Sequence, residues 1–404
     1  MRRSARLLLG ASALAAALAP PAPAAAERIS PMAMTPLIST NYQPQGADER
    51  GFWDRMERVE EDLATSDLIV RDPALNAYVR GVAERVMGSR AANLRVYIVR
   101  STSFNALTLP NGLMLINSGL LLRMRSEAEL AGVLAHEIGH YLRLHQIRKW
   151  RDLKRRSGIS AFISVGLAIG GAAAGVGTYD LISAINNAMF FGALSYSREL
   201  ESEADAMGLR LIAEAHYRPL SMSETWMSFV AEEEASARAR NRRRDRGFSM
   251  LATHPAPEQR MLDLRASAAE VERADATDVG EDRFQAALRP LLPDFLRDQI
   301  MLNDPGASLF VVNRLAAGNW TGLLRFHEGE IYRMRGLDGD GARADAAYAA
   351  AVALPDAPPE AWRAHGYALI RRGETETGRA ALAHYLEMRP GAPDAAMVRH
   401  SMTN

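Results

Sequence analysis

His136-Glu137-Ile138-Gly139-His140 is the stretch of this chain best equipped for chemistry. On a helix the two histidines lie one turn apart on a common face. Both imidazoles could then reach one metal ion at about 2.0–2.1 Å. Glu137 would project beside them, where a carboxylate can take a proton from a metal-bound water. The helix is itself legible. Ser126 followed by Glu129 reads as a capping box, residues 127–145 lack proline, and Leu130, Val133, Leu134 and Ile138 recur at helical spacing.

Two histidines do not complete a site. The chain contains no cysteine, which excludes disulfides and thiolate ligands, so any metal must be held by His and carboxylates. Residues 197–212 read as a second helix and carry Glu199, Glu201 and Glu203. Glu201 has Asp205 one turn on, which offers a metal-ligand Glu and an Asp on one face. That Asp can accept a hydrogen bond from the far nitrogen of a ligating His and fix its tautomer. A solvated acidic helix face is the plainer reading of such a charge run, but the unfinished His-His site upstream favours the ligand. His254 stands outside any periodic segment, between residues made stiff and extended by Pro255 and Pro257.

The surrounding elements follow from pattern. Residues 28–47 look like a leader loop, and residues 48–66 form a helix with Phe52, Met56, Val59 and Leu63 on one face. Asp72-Pro73 opens a helix to about Met87. Residues 94–100 alternate as a strand, Pro110-Asn111-Gly112 turns, and residues 113–116 read as a second strand. Residues 231–246, rich in Arg, read as a solvated helix end or loop. From about residue 280 only helices are expected. There Gly329, Tyr332, Ala346, Tyr348 and Pro355 align with Trp362, Gly366, Ala380, Leu382 and Pro390, resembling a degenerate tetratricopeptide repeat, with a plain helical bundle as the alternative.

Composition sets the remaining bounds. With 404 residues, 48% hydrophobic and 24% charged, the chain is globular and long enough for two domains. Its net charge of zero gives no reason to expect a nucleic-acid partner. Residues 1–26 read as a secretory signal: Arg2, Arg3 and Arg6, an apolar run from Leu7 to Ala19, and a small-residue cleavage site at Ala24-Ala25-Ala26. An uncleaved anchor is the alternative, and export in a bacterium would lead to the periplasm. Residues 157–179 are uncharged and rich in Gly and Ala. They are long enough to span a bilayer, yet a buried or membrane-surface helical hairpin fits their weak hydrophobicity better.

Several stretches together carry a family resemblance: Asn105-Ala106 with Leu109-Pro-Asn-Gly112, Ser118-Gly-Leu-Leu, His-Glu-Ile-Gly-His, Ser-Arg-Glu-Leu-Glu-Ser-Glu-Ala-Asp, and Thr253-His-Pro with an Arg six residues after the His. The chain resembles the gluzincin zinc metallopeptidases, in the family of HtpX and the CAAX prenyl proteases. It is most similar to the exported, tetratricopeptide-bearing branch that serves outer-membrane assembly. Asn111 stands where many relatives have Gly.

The resemblance implies one Zn2+ per chain on His136, His140 and Glu201, with Glu137 as general base and Asp205 as support. His254 aligns with a family histidine that stabilises the oxyanion or blocks the zinc at rest, and Arg260 would anchor that region. Asn105 and the strand bearing Leu113 and Met114 are the expected substrate-binding residues, the strand serving as an edge for an extended peptide. The implied fold is a mainly α zincin-type α+β domain with a small sheet over residues 27–275, then an all-α tetratricopeptide-like domain over residues 276–404.

The expected function is an exported zinc endopeptidase acting on misfolded or misassembled envelope proteins, docked to the outer-membrane assembly machinery by its repeats. Residues 157–179 would offer peripheral membrane contact. A repeat-based adaptor or chaperone with a latent protease site is the alternative. A membrane-embedded prenyl-protein protease would need several spanning helices, and the sequence offers one marginal candidate.

Overall fold

The computed structural model describes residues 29–34, 42–152, 155, 196–241, 254 and 257–403. The expected signal at 1–26 and the uncharged stretch at 157–179 lie outside them. Among the described residues no helix is long and apolar enough to cross a membrane.

Helix α1 (Gly46–Thr65) buries Phe52, Met56, Val59 and Leu63, the face read from the sequence. Helix α2 (Pro73–Met87) starts as expected: the Asp72 side chain accepts from Leu75 N at 2.7 Å and Pro73 occupies the first turn. Strands β1 (Arg95–Val99), β2 (Ala106–Thr108) and β3 (Leu113–Asn117) follow. They form one sheet in the order β1-β3-β2, parallel between β1 and β3 and antiparallel between β2 and β3.

All five β3 residues are buried because both faces of the sheet are covered. Met114 and Ile116 enter the main core under α2, while Leu113 and Leu115 pack with α1, Ile147 and Trp150. The strand expected to be an edge is therefore the central one, and the side chains of Leu113 and Met114 have no exposure. They cannot line a substrate groove. Strand β2, with three residues, is too short to carry an alternation signal in the sequence.

After α3 (Ser118–Arg123) comes α4 (Glu127–Leu142), in which every residue is buried. Its cap is nearly as read. Ser126 Oγ accepts from Glu129 N at 3.2 Å, and the Glu129 carboxylate accepts from Arg125 N at 2.8 Å, one residue earlier than a standard capping box. Helices α5 (Arg198–Glu214), α6 (Leu220–Ala239) and α7 (Pro257–Ala268) pack around α4 or on one another.

Eight further helices follow: α8 (Glu281–Leu288), α9 (Leu292–Met301), α10 (Pro305–Ala316), α11 (Gly322–Arg335), α12 (Asp340–Val352), α13 (Pro359–Arg371), α14 (Thr375–Met388) and α15 (Ala395–Thr403). Packing does not thin at the expected boundary after residue 275. Phe284, Leu288, Phe295, Leu296, Val311, Val312, Leu324 and Ile331 all belong to the core that contains α4.

The start of α4 is held from that C-terminal side. Glu127 N and Ala128 N donate to the carbonyls of Gly280 and Val279, satisfying donors that a helix start leaves open. The Glu127 carboxylate accepts from Tyr78 Oη at 2.6 Å, Tyr217 Oη at 2.7 Å and Arg283 Nη2 at 2.9 Å. Burial pushes the Glu127 carboxyl up, but these hydrogen bonds outweigh it and hold the pKa at about 2, below the ordinary 4.5. A carboxylate depressed in the folded state contributes fully above its unfolded pKa and loses that contribution as the pH falls toward the folded value. Glu127→Gln is expected to lower stability at pH 7 by at most about 3 kcal/mol. The difference should shrink between about pH 5 and pH 2. Urea unfolding at pH 7 and pH 3 checks this, and a gap that stays constant would assign Glu127 to packing alone.

Candidate metal centre

Helix α4 presents His136, Glu137 and His140, and α5 presents Glu201 and Asp205. The two helices lie unusually close because glycines face each other's backbone. A Cβ on Gly139 would meet the Ala204 carbonyl oxygen at 2.8 Å, and one on Gly208 would meet His136 N at 3.1 Å. A glycine inside a helix costs about 1 kcal/mol relative to alanine; here it permits the approach that puts Glu201 beside the histidines.

Donor atoms of His136, His140, Glu201 and His254 all lie within 4.8 Å of one another, and all four residues are buried. His136 Nε2 is 3.1 Å from His140 Nε2 and 3.2 Å from His254 Nδ1. Glu201 Oε1 is 2.8 Å from His254 Nδ1 and 3.4 Å from His140 Nε2, while Glu201 Oε2 is 3.6 Å from His136 Nε2. Four ligands at about 2.0–2.1 Å around a tetrahedral zinc would stand about 3.3 Å apart, so the spacing fits. The chemistry fits too. Glu137 Oε1, almost wholly buried, has no hydrogen-bond partner. Three buried carboxylates, Glu137, Glu201 and Asp205, face one buried guanidinium, Arg260, a charge set complementary to a cation.

Electrostatics follow from burial and partners. Desolvation lowers the pKa of His136, with Arg260 adding to the effect, and takes His140 well below the ordinary histidine value; both rings are thus neutral and able to offer lone pairs. Burial pushes Glu201 up, but His254 and Arg260 overcome this and keep it well below the carboxylate range. Glu137 is pushed up to about 7, chiefly by burial. Burial lowers His254, yet Glu201 and Glu137 outweigh it and raise its pKa.

The structure brings Asp205 and Arg260 into the same cluster. Asp205 Oδ1 lies 2.8 Å from His136 Nδ1, the contact expected of a group that orients a ligand. Arg260 donates to both Asp205 oxygens at 2.7 and 2.8 Å, lies 2.8 Å from Glu201 Oε2, and stacks over Trp226 at 4.2 Å. His254, expected either to stabilise the oxyanion or to block the zinc, lies within the donor group, and its Nε2 is 3.5 Å from Glu137 Oε1.

Asn105 precedes β2 and is half-buried, its carbonyl accepting from Asn117 N at 3.1 Å. Strand β2 brings the sheet to the site. Thr108 gives the Glu137 carboxylate a backbone hydrogen bond, and its carbonyl accepts from Gln146. Three residues escaped the sequence reading. Tyr196 stacks on His140 at 3.8 Å, and His145 and Glu203 lie behind it. In the sequence Glu203 is one member of an acidic run, and His145 is the last residue of the motif stretch.

Comparison with known proteins agrees with this geometry. Residues 70–268 match the model of peptidase family M48. A candidate beta-barrel assembly-enhancing protease of Vibrio cholerae is 31% identical over 215 residues, covering 51% of this chain and 42% of that protein. The beta-barrel assembly-enhancing protease of Escherichia coli K12 is 26% identical over 236 residues, covering 57% of this chain and 46% of that protein. The mitochondrial metalloendopeptidase OMA1 of Schizosaccharomyces pombe is 28% identical over 189 residues, 46% of this chain and 50% of that protein. The chain thus spans about half the length of these relatives.

The helix contact gives a direct test. Gly139→Ala should lower stability by about 1–2 kcal/mol, since the overpacking cost exceeds the gain in helix propensity. It should also reduce retained metal. An unchanged melting temperature would show that α4 and α5 can separate freely.

Proposed function

We propose that this chain, whose residues 70–268 match the model of peptidase family M48, is a zinc endopeptidase that cleaves misfolded or misassembled outer-membrane proteins in the periplasm. The observation that carries the reading is the buried His136, His140 and Glu201 donor set with Glu137 alongside. The family match and the named relatives support protease chemistry in that setting.

His136, His140 and Glu201 would hold the zinc, which when bound supplies an acidified water and polarises the scissile carbonyl. Glu137 takes the water's proton and delivers it to the leaving amine. Its burial beside the donor set places it where it can accept that proton and pass it on. Asp205 and Arg260 hold His136 and Glu201 in place.

Residues 68–70 pair with β1 through Val70 N to Ile98 O and Arg100 N to Leu68 O, so β2 is the sheet edge that reaches Glu137. The C-terminal helices support the repeat reading. Gly329 on α11 faces the Tyr348 ring of α12, and Gly366 on α13 faces Leu382 of α14, the same close contact 37 and 34 residues on. In this reading the helix pairs dock the protease to the outer-membrane assembly machinery.

A specific observation favours a second element, latency. His254 Nδ1 stands in the fourth donor position, the place a catalytic zinc site leaves open for water. His254 is therefore assigned here as a removable cap rather than an oxyanion donor.

Glu137→Gln should retain about one zinc per chain and lose casein cleavage by at least about 100-fold. Normal cleavage by that variant would refute the assignment. His254→Ala should retain zinc and cleave casein faster than wild type. A slower variant would make His254 a catalytic donor instead.

A further inference from the structure

We propose that His145 and Glu203 are a positioning pair that holds His140 in its metal-binding tautomer. The inference rests on the zinc reading above. His140 turns Nε2 toward His136 and Glu201, at 3.1 and 3.4 Å. Its other ring nitrogen, Nδ1, points away and lies 2.8 Å from His145 Nδ1. A neutral imidazole that offers the lone pair of Nε2 carries its proton on Nδ1. His140 therefore donates and His145 Nδ1 accepts. The proton of His145 is then left on Nε2, which lies 3.2 Å from Glu203 Oε2, near enough for charge attraction although that nitrogen makes no hydrogen bond. The hydrogen bond to His145 Nδ1 favours the His140 tautomer, and the Glu203 charge favours that of His145.

The far end is fixed as well. Glu203 pairs with Arg143 and, at 3.1 Å, with Arg148, which keeps it an ionised acceptor. His145 is fully buried and is not among the residues whose donors converge on the site, so it backs a ligand without being one.

The arrangement mirrors that of His136, whose Nδ1 meets Asp205 directly with Arg260 behind. The two supports differ because of α5. At about 100° per residue, Asp205 returns near the face of Glu201, whereas Glu203 lies about 200° round the helix. The His145 ring spans the interval. Its placement has a local cost. Between α4 and the helical residues 145–152, Leu144 adopts a left-handed backbone with φ 52°, unfavourable by about 1–2 kcal/mol for a non-glycine residue. That turn ends α4 and brings the very next side chain back against His140.

The test measures zinc dissociation constants by competition with a chromophoric chelator, together with melting of the metal-free protein. It compares wild type, His145→Phe, His145→Asn, Glu203→Gln and the double variant His145→Phe/Glu203→Gln. His145→Phe keeps ring volume without the hydrogen bond and should weaken zinc binding 10–100-fold. His145→Asn should recover part of the loss, since its Oδ1 can replace Nδ1 as acceptor. Glu203→Gln should weaken binding in the same direction, and the double variant should lose no more than His145→Phe alone. Wild-type affinity in both single variants would overturn the proposal. So would an affinity loss that Asn does not relieve and that is matched by an equal loss in metal-free melting. Should His145→Phe fail to fold, Glu203→Gln decides on its own. A wild-type protein that binds no zinc would instead overturn the metal reading on which the proposal rests.

Discussion

A carboxylate with 1% exposure, Glu201, is the demand that the rest of the site answers. A buried, unpaired charge is strongly unfavourable, and pairing repays the loss of water only with good geometry. Arg260 and His254 supply that pairing here, and they outweigh the desolvation that would otherwise protonate the carboxyl. Arg260 is itself buried, so it needs a second anion, and Asp205 provides one through two hydrogen bonds. Asp205 in turn fixes His136. One buried charge thus accounts for residues drawn from α4, α5, α7 and the His254 position. Removing Arg260 would leave Glu201 and Asp205 buried without their shared cation.

That geometry depends on how closely α4 and α5 approach, and α4 is positioned from outside the site. Gly139 and Gly208 remove the side chains that would hold the helices apart. The N-terminus of α4 is then fixed by groups far along the chain. Arg283 binds Glu127, Arg314 binds both oxygens of Glu129 at 2.8 Å, and the carbonyls of residues 279 and 280 accept from its first amides. Arg123, just before α4, is buried against Glu232 and Gln299. The helices after residue 280 are therefore part of what aligns α4.

What the sequence showed and what it hid divide along physical lines. Local signals survived: the Asp72-Pro73 start, the Ser126 cap, the apolar face of α1, and the one-turn spacings from His136 to His140 and from Glu201 to Asp205. Each depends on neighbours within a turn. Pairing order did not survive. A uniformly apolar Leu113–Ile116 run is equally compatible with an edge or a centre, and only the partners on both sides made β3 central. The role of His145 was hidden for a related reason. Its spacing from His140 is five residues, off the helical repeat, and the left-handed backbone at Leu144 that brings the rings together has no glycine or asparagine to announce it. The continuity of the core past residue 275 was hidden too, because contacts between residues far apart in the chain leave no local pattern.

His254 and Arg260 give the site a second level of organisation. Both come from one short segment, six residues apart, and both touch Glu201. Arg260 is held on α7 by Asp205 and by the face of Trp226, so it has anchors besides Glu201. His254 contacts only members of the donor set and Glu137 among the hydrogen-bond and ion-pair partners described for it. Its neighbour Tyr196 adds a tilted ring contact at 5.6 Å. Displacing His254 would therefore sacrifice contacts at the fourth donor position while Arg260 continued to brace Glu201 and Asp205. In the proposed reading this difference in anchoring is what allows a cap to leave without dismantling the ligands beneath it.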